Sequence, residues 1–212
     1  MDLLEKIKIL NNHLSAKNFK KVIDGSKILL NKIPHNDYLL NLTGMAYQGL
    51  SQHQNSIKFF NQALTVAPNN IAAMNNLANS YKAIGKLEDA KDLYEKILKM
   101  NPNYVNAYNN YANLKTLIND YKGAIELYLK VYDLIKNNKN IPKTSVTGIL
   151  FSLAVAYQSD NKIDETKNTV DEIFTIDSTH VGAHKLISSL TKYSKEDEKS
   201  LAHIQKMEEI DK

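Results

Sequence analysis

The chain contains no cysteine and no arginine, and its 212 residues include only seven glycines and four prolines. Without cysteine there is no disulfide framework, no thiolate metal site and no cysteine nucleophile. That composition is compatible with a cytoplasmic location. Without arginine all 27 basic side chains are lysines. The planar fork that grips phosphates and guanine is missing, so nucleic acid is not an expected partner. Scarce glycine and proline favour long helices over strands and turns. No run approaches the ~18 apolar residues of a membrane span, and no membrane insertion is expected. Residues 1–14 interleave lysines, Asp2 and Glu5 with apolar residues, unlike the unbroken apolar core of a secretion signal. No phosphate loop, glycine-rich fingerprint or nucleophile elbow occurs. Neither a cofactor nor a catalytic residue is therefore expected.

What is present is a 34-residue self-similarity. Laying 71–104 over 105–138 matches Leu77 with Tyr111, Ala78 with Ala112, Ala90 with Ala124, Tyr94 with Tyr128 and Ile97 with Val131. Residues 37–70 fit the same frame through Gly44, Tyr47, Ser56, Phe60, Ala63 and Pro68. Units of this length cannot bury their own apolar face, so neighbours must stack. A weaker first unit spans 3–36 and a fifth 147–180, with a partial unit at 181–193. The step into the fifth unit is 42 residues rather than 34. The surplus lies in Lys136–Thr144, a polar stretch with Pro142 that reads as a loop or helix extension and as a hinge. The reading is one stack over 1–193, followed by a C-terminal helix over 194–212 that starts at Ser194.

Within a unit the pattern is two antiparallel helices. Met74, Leu77, Ala78 and Tyr81 recur at helical spacing. Gly85 supplies the left-handed residue that ends this helix. Leu87, Ala90, Tyr94, Ile97 and Leu98 make the second stripe, and Pro102 stops it. Ala78 and Ala90 let the two backbones approach closely. These are framework roles.

The framework residues resemble the tetratricopeptide repeat (TPR) family, with "IAAMNNLANSYKAIGKLEDAKDLYEKILKMNPN" matching the family pattern almost throughout. The resemblance covers nearly all of residues 3–192. Departures include Leu10, His13 and Val22 in the first unit, Lys115 at an aromatic position in the fourth, and Thr166 and Val170 in the fifth. It implies an all-α, right-handed α-solenoid of about five helix hairpins plus C-terminal capping helices. The first helix of each pair would line a concave groove. The groove residues read from this sequence are then Tyr38, Asn41, Leu42, Met45 and Gln48 in the second unit. Asn75, Asn76, Asn79 and Lys82 follow in the third, and Asn106, Asn109, Asn110, Asn113 and Thr116 in the fourth. The fifth unit contributes Phe151, Ser152, Val155 and Gln158.

An asparagine ladder carries the candidate chemistry. Asn75, Asn76 and Asn79 recur one period later as Asn109, Asn110 and Asn113. Spacings of one and four keep them near one helical face. A carboxamide both donates and accepts, so such a file can pair with the N–H and C=O groups of an extended peptide. The peptide-binding set is Asn41, Asn75, Asn76, Asn79, Lys82, Asn109, Asn110 and Asn113. It resembles the ladder in the repeat region of O-linked N-acetylglucosamine transferases. The plain alternative is composition, since 25 residues are asparagine. The carboxylate clamp of chaperone cochaperones would need basic residues where this chain has Ile7, Asn11, Leu42 and Ala72, so that mode is disfavoured. His180 and His184 are spaced for a metal, but no third ligand is evident and no metal is expected.

The expected function is a protein-interaction module that holds an extended peptide or partner segment in its groove. Ala183–Lys212 also resembles the segment following the repeats in bacterial repeat-containing sulfotransferases. On that second reading the chain recruits a substrate for a larger enzyme and is inactive alone. Self-association through exposed Leu186, Leu190 and Leu201 is a third expectation, giving a monomer or weak homodimer.

Overall fold

A computed structural model describes residues 2–190. Among these residues the secondary structure is eleven helices and no strand, an all-α, α-solenoid arrangement of helix hairpins. In order they are α1 (Leu3–Ser15), α2 (Phe19–Leu30), α3 (Asp37–Gly49), α4 (His53–Val66), α5 (Ile71–Ala83), α6 (Leu87–Met100), α7 (Val105–Leu117), α8 (Tyr121–Ile135), α9 (Lys143–Ser159), α10 (Ile163–Ile176) and α11 (Val181–Leu190). The chain divides into two compact units, Met1–Ala107 and Tyr108–Lys212. The expected helix over 194–212 lies outside the described residues.

Every hairpin turn closes the same way. The residue with positive φ is Lys17, Ser51, Gly85, Asn119 or Asn161, one per hairpin. Just after it, the N–H of Asn18, Gln52, Lys86, Asp120 or Lys162 donates to the carbonyl five residues back, at 2.8–2.9 Å. This left-handed closure satisfies carbonyls that the helix end would otherwise strand. Gly85 takes it at φ +80° without a Cβ penalty, as its sequence position predicts. Entry into the first helix of a pair is equally regular. Asp2, Asn36 and Asn70, 34 residues apart, accept from the N–H groups of Glu5, Leu39 and Ala73 at 2.7, 2.9 and 3.0 Å. Each cap satisfies an orphan donor of the first turn.

The core of the first unit runs through its hairpins. Leu10, Val22, Leu29, Leu39 and Leu42 cluster around the first interface. Leu40, Ala63 and Ala73 join the next. A small residue faces a bulky one inside the second hairpin, where a Cβ on Gly44 would meet the Phe60 ring at 2.5 Å. In the second unit Ala112, Ala124, Tyr128 and Leu153 form one cluster. Leu150, Ala154, Val170, Ile173, Ala183, Leu186 and Ile187 form another.

Lys115, the departure at an aromatic position, has a physical partner. Tyr81 and Tyr157 hold that position in the third and fifth hairpins, and a lysine five residues on lies over each ring, Lys86 at 5.6 Å and Lys162 at 5.9 Å. In the fourth hairpin Lys115 instead pairs with Asp120, also five residues on, at 2.7 Å. It also lies 5.4 Å from the centre of the Tyr111 ring. Asp120 in turn caps α8 by accepting from the Gly123 N–H at 3.0 Å. An aromatic–cation contact has been exchanged for a cation–carboxylate one at the same turn.

The surplus in Lys136–Thr144 is divided between a loop and a helix extension. α9 begins four residues before the repeat frame, at Lys143. The expectation of an exposed Leu186 fails. It is 8% exposed and packs with Ile187 and Ala183 in the last cluster, because α11 closes onto α9 and α10. Leu190 packs against the same cluster, and Leu201 lies outside the described residues. Nor are His180 and His184 disposed as a pair of metal ligands. His180 Nδ1 accepts from the Ala183 N–H at 3.1 Å, and buried His184 Nε2 lies 2.9 Å from the Ser178 carbonyl.

Candidate functional site

The asparagines do not form a uniform file. Asn41 and Asn75, equivalent positions one repeat apart, are 9% and 6% exposed. Both are buried in the first unit, where short amides fit between helices. Asn41 accepts from Asn76 Nδ2 at 3.1 Å and donates to Met45 Sδ at 3.7 Å. Gln48 is similarly committed, donating to Ser80 Oγ at 3.1 Å and the Asn76 carbonyl at 3.3 Å. Ser80 shares a 2.8 Å hydroxyl contact with Ser56. This chain of polar contacts links α3, α4 and α5, and the mostly buried groups in it satisfy one another. Tyr38 is exposed and donates to Asn11 Oδ1 at 2.8 Å.

Asn79 and Asn113 behave differently. Asn79 is half-buried and Asn113 exposed. Each carboxamide oxygen accepts a 2.7 Å bond from a tyrosine hydroxyl of the same hairpin, Tyr94 and Tyr128 respectively. The tyrosines are buried, and burial pushes both phenols above their ordinary range. A neutral phenol in the interior needs a polar partner for its O–H. The asparagine supplies it and is held in one orientation as a result. Its Nδ2 hydrogens have no protein acceptor among the described residues. They remain as donors beside the open surface of the helix.

From the second hairpin to the fifth the pairing tracks the sequence. Where the second hairpin has Phe60, without a hydroxyl, Met45 stands at the asparagine position. Where the fifth has Val170, the position holds Val155. From the sequence Tyr94 reads as a member of the second apolar stripe, which leaves its hydroxyl unassigned. The co-occurrence of tyrosine and asparagine fifteen residues apart was the available signal.

Lys82 stands three residues beyond Asn79 on α5. It is half-buried, and desolvation lowers its pKa from the ordinary lysine value. In the second unit Asn109 and Asn110 are half-buried. Thr116 bonds back to the Ala112 carbonyl at 3.1 Å. In the fifth hairpin Gln158 donates to Ser189 Oγ at 3.1 Å and Ser152 bonds the Gly148 carbonyl at 3.0 Å. Among the described residues no group of three or more metal-ligating side chains converges.

Comparison with family models matches residues 38–103 and 93–126, each to a tetratricopeptide repeat. Residues 38–126 carry tetratricopeptide repeats. A comparison with curated protein sequences returns no match. Solved TPR structures share the fold at low identity. A tetratricopeptide repeat protein from Parabacteroides merdae ATCC 43184 is 17% identical, covering 97% of this chain and 78% of that one, with a TM-score of 0.73. TTC0263, a thermophilic TPR protein in Thermus thermophilus, is 14% identical over 88% and 98%, with a TM-score of 0.69. YrrB, described as a TPR protein with an unusual peptide-binding site, is 16% identical over 87% and 91%, with a TM-score of 0.66. No helix among the described residues is long and apolar enough to cross a membrane.

Proposed function

We propose that the chain is a protein-interaction module that holds an extended peptide segment against the first-helix faces of its repeats. The observation that carries this reading is the pair of tyrosine-anchored asparagines. Asn79 and Asn113 each have the oxygen engaged and the nitrogen free, so each offers donors suited to peptide carbonyl oxygens. Anchoring matters because a pre-set side chain loses less rotamer freedom on binding. Lys82 adds a partly desolvated cation one turn from Asn79, which favours segments bearing a carboxylate. Asn76, Asn109 and Asn110 belong to the same proposed faces. Asn41 and Asn75 support them from within. Contacts to backbone amides exchange with water and net only ~1 kcal/mol each, so affinity is modest and sequence-tolerant. YrrB, which shares the fold, is described as having an unusual peptide-binding site.

Ala183–Lys212, which carries the resemblance to sulfotransferases, lies mostly outside the described residues. None of the similar structures named above is described as an enzyme, and the interaction reading is the one with a geometric basis.

The test is capture from a peptide array by the natural chain and by a variant carrying N76A, N79A, N110A and N113A. Capture falls several-fold while helical circular dichroism is retained. Equal capture would reduce the asparagines to framework partners of Tyr94 and Tyr128.

A further inference from the structure

The first unit contains a cavity of ≈ 460 Å³ among α2, the α2–α3 connection, α3 and α4. Its apolar wall includes Leu40 and Phe59. Leu40 is buried, and the Phe59 ring is stacked on Tyr47 at 5.4 Å, so this wall is fixed. Besides Thr65, whose hydroxyl donates to the Asn61 carbonyl at 3.0 Å, four polar side chains line the cavity: Lys27, Asn31, His35 and Gln62. None of the four makes a side-chain hydrogen bond or ion pair among the described residues. All can donate, and no carboxylate lines the space.

Two further observations favour an anion. Residues 1–70 hold eight lysines against four carboxylates, an excess of four that equals the formal charge of the entire chain. Two of those carboxylates are already occupied, Asp2 as the cap of α1 and Asp37 as the acceptor of Asn70 Nδ2 at 2.9 Å. The donor set is also not a product of the repeat. One period on, Lys27, His35, Phe59 and Gln62 become Asn61, Asn69, Leu93 and Lys96. Framework packing would have recurred. This constellation belongs to one place in the fold.

We propose that this cavity binds a carboxylate carried on an apolar body. The apolar part lies against Leu40 and Phe59. The carboxylate pairs with the Lys27 ammonium and takes further bonds from the amides of Asn31 and Gln62 and the His35 imidazole. The volume lies in the range of small-ligand sites. A free aliphatic or aromatic acid and the last residue of a peptide share this chemistry.

Calorimetric titration and side-chain NMR on the full chain distinguish them. The probes are octanoate, 3-phenylpropionate and N-acetyl-Gly-Phe, each beside its primary amide. Saturable binding by at least one acid is expected, with shifts centred on Leu40 and Phe59 and at least about tenfold weaker binding of the amide, since charge-assisted bonds are the strong ones. K27M, at an exposed position, lowers acid affinity by a similar factor with helicity unchanged, and Q62L lowers it less. Binding by the free acids alone assigns a small ligand, whereas binding by the dipeptide alone assigns a chain terminus. No saturable binding by any acid overturns the proposal. So does equal binding of acid and amide, or unchanged affinity in K27M. The variant with four asparagine substitutions described above retains this binding, because none of its changed residues lines the cavity.

Discussion

Tyr94 and Tyr128 each send a hydroxyl to an asparagine fifteen positions earlier, whereas Phe60 packs with no such partner and a methionine stands in the asparagine's place. Y94F removes a mostly buried bond and lowers stability by ~1 kcal/mol in urea denaturation. Adding N79M to Y94F restores the pairing found in the second hairpin and recovers part of the loss, which a double-mutant cycle measures as a coupling between the two sites. Tyr132 gives a pH-dependent counterpart. Burial, with help from its bond to Glu172, pushes its phenol up to about 12. Because the folded value lies above the unfolded one, near 10, the stabilisation is fully present below pH ~10 and is lost as pH rises toward 12. Urea midpoints taken at pH 9 and pH 11 should fall more for the natural chain than for Y132F. At this scale the sequence was only partly legible. An asparagine at a repeat position looks the same whether it is buried like Asn75 or open like Asn113. The partner that decides the matter lies on another helix.

At the scale of a helix and its ends, the repeat spacing was the most readable part of the chain. A 34-residue period with stripes at helical spacing is enough to place the hairpins, and Gly85 marks one turn openly. The other four turns were hidden because lysine, serine and asparagine occupy the left-handed position there. Tertiary packing of the hairpin holds Lys17 and Ser51 in it, at a cost of order 1 kcal/mol for a Cβ in that conformation, whereas asparagine at 119 and 161 tolerates it through its short polar side chain. S51G and K17G should therefore raise the thermal midpoint, offset in part by the added freedom of the unfolded chain. G85A should lower stability by ~1 kcal/mol, although no atom lies within 4 Å of the Cβ it would add. N70A removes both the cap of α5 and the bond to Asp37, and costs ~1 kcal/mol or more by chemical denaturation.

On the scale of the whole chain, stability in stacked repeats is close to a sum of unit and neighbour terms. The first hairpin is the thinnest part of its compact unit. α1 buries a single residue, Leu10, while α3 buries seven. Amides of α1 and α2 should exchange with deuterium faster than those of α3 and α4 at neutral pH. Uniform protection across the unit would contradict neighbour-limited stability. The asymmetry of charge between residues 1–70 and the remainder could be counted in the sequence but had no meaning until the cavity at Lys27 was seen beside it. The paired exchange at the hairpin turns has an evolutionary consequence. Tyr81 with Lys86 and Lys115 with Asp120 are each complete within one turn, so unequal crossing-over outside those six residues would add or delete repeats with both partners intact. A crossover inside them would set Lys115 against Lys86, or Tyr81 against Asp120, and the shuffled hairpin would inherit a repulsion or an idle carboxylate.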